Sequence, residues 1–129
     1  MKISSSDFKR FSKQIILKNI GINGQKKIFS AKVLVIGAGG LGCPLITYLA
    51  SSGVGNIGVV DHDKIDLSNL SRQTLYMAND IGKFKVVKIK DKIKKINKKI
   101  NVTTYKTRLE KYNIKKIIEG YDVICDGTD

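Results

Sequence analysis

The chain has 129 residues, 42% hydrophobic and 27% charged, enough for one small α/β domain and short for a complete doubly wound enzyme. No apolar run approaches a membrane span and the opening MKISSSDFKR lacks the apolar centre of a signal peptide, so the expected location is the cytoplasm. The formal charge of +13 is carried mostly by dispersed lysines without an interleaved aromatic platform, which disfavours dedicated nucleic-acid recognition and suits an acidic protein partner at least as well.

Residues 6–19, SDFKRFSKQIILKN, place Phe8, Phe11 and Ile15 at helical spacing, with Ser6 as the expected N-cap. GINGQKKIFSA at 21–31 reads as a turn and a second short helix. KVLVI at 32–36 is a continuous apolar run after its lysine, the pattern of a strand buried on both faces. A glycine loop then enters a helix through about Ser52, with Pro44 in its first turn, where a missing N–H costs nothing. GNIGVVD at 55–61 is the second strand. In GKFKVVKIKDKIKKINKKI at 82–100, Val86, Ile89, Ile93, Ile96 and Ile100 recur at steps of three and four, predicting an amphipathic helix. Lys85, Lys88, Lys92, Lys95 and Lys99 recur on a neighbouring face that is expected to be mostly solvated. A third strand is expected near 102–106, a short helix near 112–119 and a fourth strand at 121–126.

Strands alternating with helices predict a Rossmann-like, doubly wound parallel sheet. Residues 1–31 form an N-terminal helical segment in this reading, and 32–129 the sheet domain, apparently truncated after its fourth strand. That strand would lie at an edge, with Val123 and Ile124 poorly covered. Cys43 and Cys125 stand in apolar segments without metal-like spacing, so no zinc site is expected, and His62 reads as a turn residue.

Gly37-Ala38-Gly39-Gly40-Leu41-Gly42 matches G-x-G-x-x-G between a predicted strand and helix, the context that gives the motif meaning. Gly37 suits the tight turn, Gly39 and Gly40 the approach of phosphates, and Gly42 close packing of helix on strand. The helix N-terminus offers amide donors to an anion. Asp61 ends the second strand, where a carboxylate can accept from ribose hydroxyls. In this topology the fourth strand lies beside the first, so Asp126-Gly127-Thr128-Asp129 would face the glycine loop across the crevice. A carboxylate there, Asp129, can hold magnesium.

The stretch DHDKIDLSNLSRQ at 61–73 is not what a redox dinucleotide fold needs. Arg72 is a five-donor fork suited to phosphate, and Lys85 adds a second cation near a helix N-terminus. Ser68 and Asn69 can either cap the local turn or bond to phosphate. Together the glycine loop, Arg72, Lys85 and Asp129 read as a triphosphate clamp with a metal.

These residues resemble the ThiF/MoeB/HesA proteins and the adenylation domains of ubiquitin-activating enzymes. The matching pieces are RFSKQIIL at 10–17, GAGGLG at 37–42, ASSGVGNIGVVDHD at 50–63, LSNLSRQ at 67–73, GKFK at 82–85 and CDGTD at 125–129. The resemblance implies ATP- and magnesium-dependent adenylation of the C-terminal glycine of a ubiquitin-like sulfur-carrier protein of molybdopterin or thiamine synthesis, by a homodimer. It implies that Gly40, Asn69 and Arg72 contact phosphate and that Ser68, Leu70 and Ser71 belong to the same nucleotide-binding stretch. By the same likeness Asp61 accepts from ribose, Lys85 contacts phosphate and Asp129 is the magnesium-associated acid. The family's arginine that reaches the partner subunit's ATP is matched here by Lys13, with Arg10 nearby, which keeps the charge and loses the bidentate fork. The family's zinc-binding cysteine pairs have no counterpart in this sequence. Two other readings stay open: a NAD- or FAD-binding oxidoreductase module, and a non-catalytic dimerising or interaction fragment.

Overall fold

The first strand is the one the sequence marks most plainly. In the computed structural model, which describes residues 2–128, β1 runs Lys32–Ile36 and buries Val33, Leu34 and Val35. β2 (Asn56–Val60) and β4 (Val123–Asp126) flank it, and β3 (Asn101–Tyr105) lies outside β2. The three pairings between these strands are all parallel, in the order β3-β2-β1-β4. The expected adjacency of first and fourth strands is therefore present. It aligns Ile36 with both Val60 and Asp126. Those two pairings bring the carboxyl ends of β1, β2 and β4 to one rim, where a parallel sheet presents its crevice.

The main core lies on one face of the sheet. Val33, Val35, Ile57 and Val59 point into it, met by Ile46 and Ala50 of α4 (Gly42–Ser52) and by Val86, Ile89 and Ile93 of α5 (Lys85–Ile96). The other face has a smaller cluster of Leu34, Val60 and Ile117, the last from α6 (Ile114–Ile118). At the β4 edge Val123 and Ile124 are 51% and 44% exposed, as the sequence leads one to expect of an uncovered edge strand.

The N-terminal helix differs from expectation. It is broken into α1 (Ser5–Arg10) and α2 (Ser12–Ile15), and its N-cap is Ser4, not Ser6. Ser4 has extended backbone angles and its hydroxyl accepts the N–H of Asp7 at 3.1 Å, the geometry a cap requires. The break falls at Phe11, which is buried edge-on against Phe29 of α3 (Gly21–Ser30) at 5.2 Å. The arm is fastened to α4 by two glutamines. The amides of Gln14 and Gln25 both donate to the Ser52 carbonyl, at 3.0 and 3.1 Å, and Gln14 also donates to Gln25 at 2.8 Å. These donors satisfy a carbonyl left open at the helix end.

The basic face of α5 is also not simply solvated. Lys88 and Lys92 reach the buried carboxylate of Asp80 at 3.5 and 3.3 Å, and Lys99, in the turn after α5, pairs with Asp7 of α1 at 2.9 Å. Periodicity assigned these lysines to a face; only the fold supplies their partners.

Candidate functional site

The glycine loop turns at Gly37, whose φ of 94° lies in the left-handed region open to glycine. A Cβ on Gly42 would collide with the Gly37 carbonyl, so the helix start and the turn can meet only without a side chain there. Between them Ala38 is fully buried and held from both sides. Its N–H donates to Asp61 at 2.8 Å, and its carbonyl accepts the Tyr76 hydroxyl at 2.6 Å. The other Asp61 oxygen accepts the N–H of Asp63 at 2.8 Å. Asp61 thus braces the loop as well as facing the crevice; each oxygen keeps a second lone pair for a ribose hydroxyl.

A cavity of about 1010 Å³ opens above this loop. Of the residues singled out from the sequence, Gly37, Gly39, Gly40, Asp61, Asn69, Arg72 and Lys85 line it. The end of β4 closes one side: Gly127 lies against Gly37, and Thr128 donates through its N–H and hydroxyl to Asp126 at 3.0 and 2.6 Å. Those donations hold the Asp126 carboxyl below the usual range. Asp129, the expected magnesium ligand, lies outside the described residues.

The turn that carries Arg72 explains the odd hydrophilic stretch. Asp66 caps a short 3-10 helix, Leu67–Ser71, accepting the Ser68 N–H at 2.9 Å, while the side-chain Oδ1 of Asn69 accepts the Asp66 N–H at 2.8 Å. Ser68 donates its hydroxyl to Asp66 as well, at 2.5 Å. Ser68 and Asn69 therefore do cap the local turn, and of the two only Asn69 also lines the cavity. Leu70 is half-buried against the core, and Ser71 donates to the Ser68 carbonyl at 3.4 Å. Ser68, Leu70, Ser71 and Gly42 are thus scaffold beside the cavity rather than part of its lining. Lys13 stands exposed on α2, away from it.

Arg72 lies over Gly40, its Cδ and Nε 3.7 Å from where a Cβ would be, and donates to the Ser68 carbonyl at 3.1 Å. Lys85 is only 5% exposed; its backbone N–H donates to the Asp63 carbonyl at 3.0 Å. Neither cation has a carboxylate within ion-pair distance among the described residues. Two unmatched cations beside a loop of open backbone amides make a site for a polyanion.

Sequence reasoning missed several wall residues: Gln73, Asp63, Thr107, Arg108, Leu109 and Ile114. Gln73 directly follows Arg72 and could have been taken with it. Thr107 and Arg108 follow β3, and their place is set by the β2–β3 pairing, which carries no local signal. Arg108 donates to His62 Nε2 at 3.1 Å, and Asp63 lies 3.1 Å from the same nitrogen, so His62 bridges two loops on the rim. Its ligand atom and those of Asp61 and Asp63 lie within 4.8 Å of one another, a grouping the turn reading of His62 overlooked. Cys43 is fully buried beneath the loop, and burial pushes its thiol above the ordinary range, which removes it as a nucleophile.

The model of the ThiF family matches residues 11–129. The chain is 47% identical over 127 residues to a probable molybdopterin-synthase adenylyltransferase of Gracilaria tenuistipitata var. liui, covering 98% of this chain and 36% of that protein. It is 45% identical over 128 residues to the adenylyltransferase and sulfurtransferase MOCS3 of Culex quinquefasciatus, covering 99% and 29%. It thus spans about a third of the length of these curated relatives. Among solved structures, it is similar to E. coli tRNA N6-threonylcarbamoyladenosine dehydratase, TcdA, in complex with ATP, with a TM-score of 0.91, 25% identity and coverage of 100% of this chain and 53% of that one. Sequence and fold agree along nearly the whole length, and the chain belongs to the ThiF family.

Proposed function

We propose that this chain is the ATP-binding part of an adenylyltransferase that activates the C-terminal glycine of a ubiquitin-like sulfur-carrier protein. The observation that carries this reading is the convergence of Arg72 and Lys85 with the glycine loop on one cavity. A redox dinucleotide needs loop amides and a ribose acceptor, but not two cations beside its phosphates that have no carboxylate partner among the described residues. The relatives' names and the ATP bound by a structural neighbour support the same choice.

In this reading the carrier's carboxylate attacks the α-phosphorus and pyrophosphate leaves, giving an acyl-adenylate. The carboxylate is already ionised, so no general base is required. Arg72 and Lys85 hold the phosphate chain and offset charge developing on it. The carboxylates on the cavity wall, Asp63 and Asp126, are hard oxygen donors of the kind magnesium prefers, and Asp129 is the residue proposed to hold it. The ion would supply further charge neutralisation. Lys13 would serve only across a subunit boundary, which makes a homodimer part of the proposal. A cytoplasmic location is proposed from sequence; among the described residues no helix is long and apolar enough to cross a membrane.

The test is carrier-dependent exchange of labelled pyrophosphate into ATP. Exchange in the wild type, lost in Lys85→Ala, is the expected result. Tight NADH binding without exchange would replace this reading with the oxidoreductase one.

A further inference from the structure

Beside the cavity, at the carboxyl ends of β2 and β3, two exposed lysines converge on one aromatic ring. Phe84 is half-buried, with the Lys106 ammonium 4.2 Å and the Lys64 ammonium 5.1 Å from its centroid. Backbone pairing puts them there. Lys64 and Phe84 form an antiparallel bridge, and Lys106 follows Tyr105, whose carbonyl accepts the Asp61 N–H at 3.2 Å. Arg108 stands two residues further on, donates to His62 Nε2 at 3.1 Å and lines the cavity, which Lys64 and Lys106 do not. Two ammonium groups drawn to one ring repel each other, an effect the ring's electron-rich faces partly offset. None of Lys64, Lys106 and Arg108 has a carboxylate within ion-pair distance among the described residues; Asp63 lies 3.1 Å from His62 Nε2 instead. An anion is the partner this corner lacks.

The neighbours say which kind. Ammonium groups lie over the Phe84 ring, so it offers no open platform for stacking a base, which disfavours nucleic acid. Lysines on long flexible stems, with an arginine fork beside them, suit carboxylates spread over a protein surface. Position adds a second argument. Arg108 belongs both to this patch and to the cavity wall, so the patch runs straight into the site where a protein tail has to enter.

We propose that Lys64, Lys106 and Arg108 form a docking surface for an acidic face of the protein whose C-terminal tail enters the nucleotide cavity. The inference rests on the adenylation reading above. The surface acts through charge: it speeds encounter and sets the orientation of the incoming protein, and Lys64 and Lys106 take no part in holding the nucleotide.

The experiment uses the full chain and a fluorescent peptide of about six glutamates ending in Gly-Gly with a free carboxylate, followed by anisotropy, with calorimetric titration of ATP alongside. Lys64→Glu/Lys106→Glu should bind the peptide about tenfold or more weakly, with ATP affinity unchanged. Lys64→Gln/Lys106→Gln, which only removes the charges, should show a smaller loss in the same direction. The control is Lys18→Glu/Lys27→Glu, which changes the net charge equally on the N-terminal arm. That arm lies at the other end of the sheet, where the Ile28 carbonyl accepts the Gly55 N–H just before β2. Its loss should stay below about threefold, and wild-type affinity for the peptide should fall as salt is raised. Equal losses in the two glutamate variants would mean general attraction to a basic protein and would overturn the proposal. So would peptide binding that neither Lys64/Lys106 variant weakens, or tighter binding of a single-stranded RNA of about eight nucleotides that Lys64→Glu/Lys106→Glu abolishes. Failure of the wild type to bind ATP would overturn the nucleotide reading itself, whereas ATP binding without selective loss of the peptide overturns only the docking surface.

Discussion

The backbone N–H of Ala38 donates to the carboxylate of Asp61 at 2.8 Å, tying the turn after β1 to the end of β2. The acid read from the sequence as a ribose acceptor is also the brace that fixes the glycine loop. Since its second oxygen takes the Asp63 N–H at 2.8 Å, one side chain orders both walls of the crevice.

Asp61→Asn should therefore damage structure and binding together. An amide cannot accept at both positions, so either the exposed Asp63 N–H or the buried Ala38 N–H loses its partner, the latter at about 1–3 kcal/mol. Urea unfolding should register that loss, and ATP titration a weaker affinity. Unchanged stability would show that the brace is dispensable.

Arg72→Lys separates charge from geometry. The ammonium keeps the attraction but cannot form the fork, so ATP affinity is expected to fall about tenfold while adenosine affinity holds. Arg72→Ala should lose more, and its excess loss should shrink as salt is raised. Equal affinities for Arg72→Lys and wild type would remove the bidentate contact from the proposal.

Gly42→Ala is expected to prevent stable folding or to lower the melting temperature by many degrees, since its Cβ would collide with backbone rather than with a movable side chain. A Gly42→Ala protein with wild-type stability, measured by circular dichroism, would contradict the close approach of turn and helix.

Acid should weaken the clasp between Asp80 and α5. Burial pushes the Asp80 carboxyl up, but the Met77 N–H and the ammonium groups of Lys92 and Lys88 outweigh it, and the net shift is downward from 3.8. A depressed folded value means this contribution is complete above the ordinary carboxylate pKa and is lost as pH falls through the lowered one. The stability gap between wild type and Asp80→Ala, about 1–3 kcal/mol at neutral pH, should narrow on acidification below that range. A gap constant with pH would assign Asp80 a packing role only.

Much of the fold was legible because its signals are local. A strand buried on both faces must be apolar throughout, as KVLVI is after its first residue, and an amphipathic helix must repeat its apolar residues, as α5 does. Helix ends were less legible: α5 stops at Ile96, four residues short of the apolar stripe's end at Ile100. Ile100 is still buried, but from the turn that leads into β3, so the same spacing served two elements.

By itself the sequence determined the alternation of strands and helices, the glycine loop between β1 and α4, and the presence of Arg72 and Lys85 close after β2. Each of these depends on neighbours in the chain, whose spacing and chemistry can be read directly. Only the tertiary structure decided which residues of 61–73 face the cavity and which fold back as caps, that Asp61 holds Ala38, that Asp80 gathers Lys88 and Lys92, and that Gln73 is buried at the wall. Those outcomes turn on which donor meets which acceptor after strands distant in sequence have paired, and periodicity carries no record of that meeting.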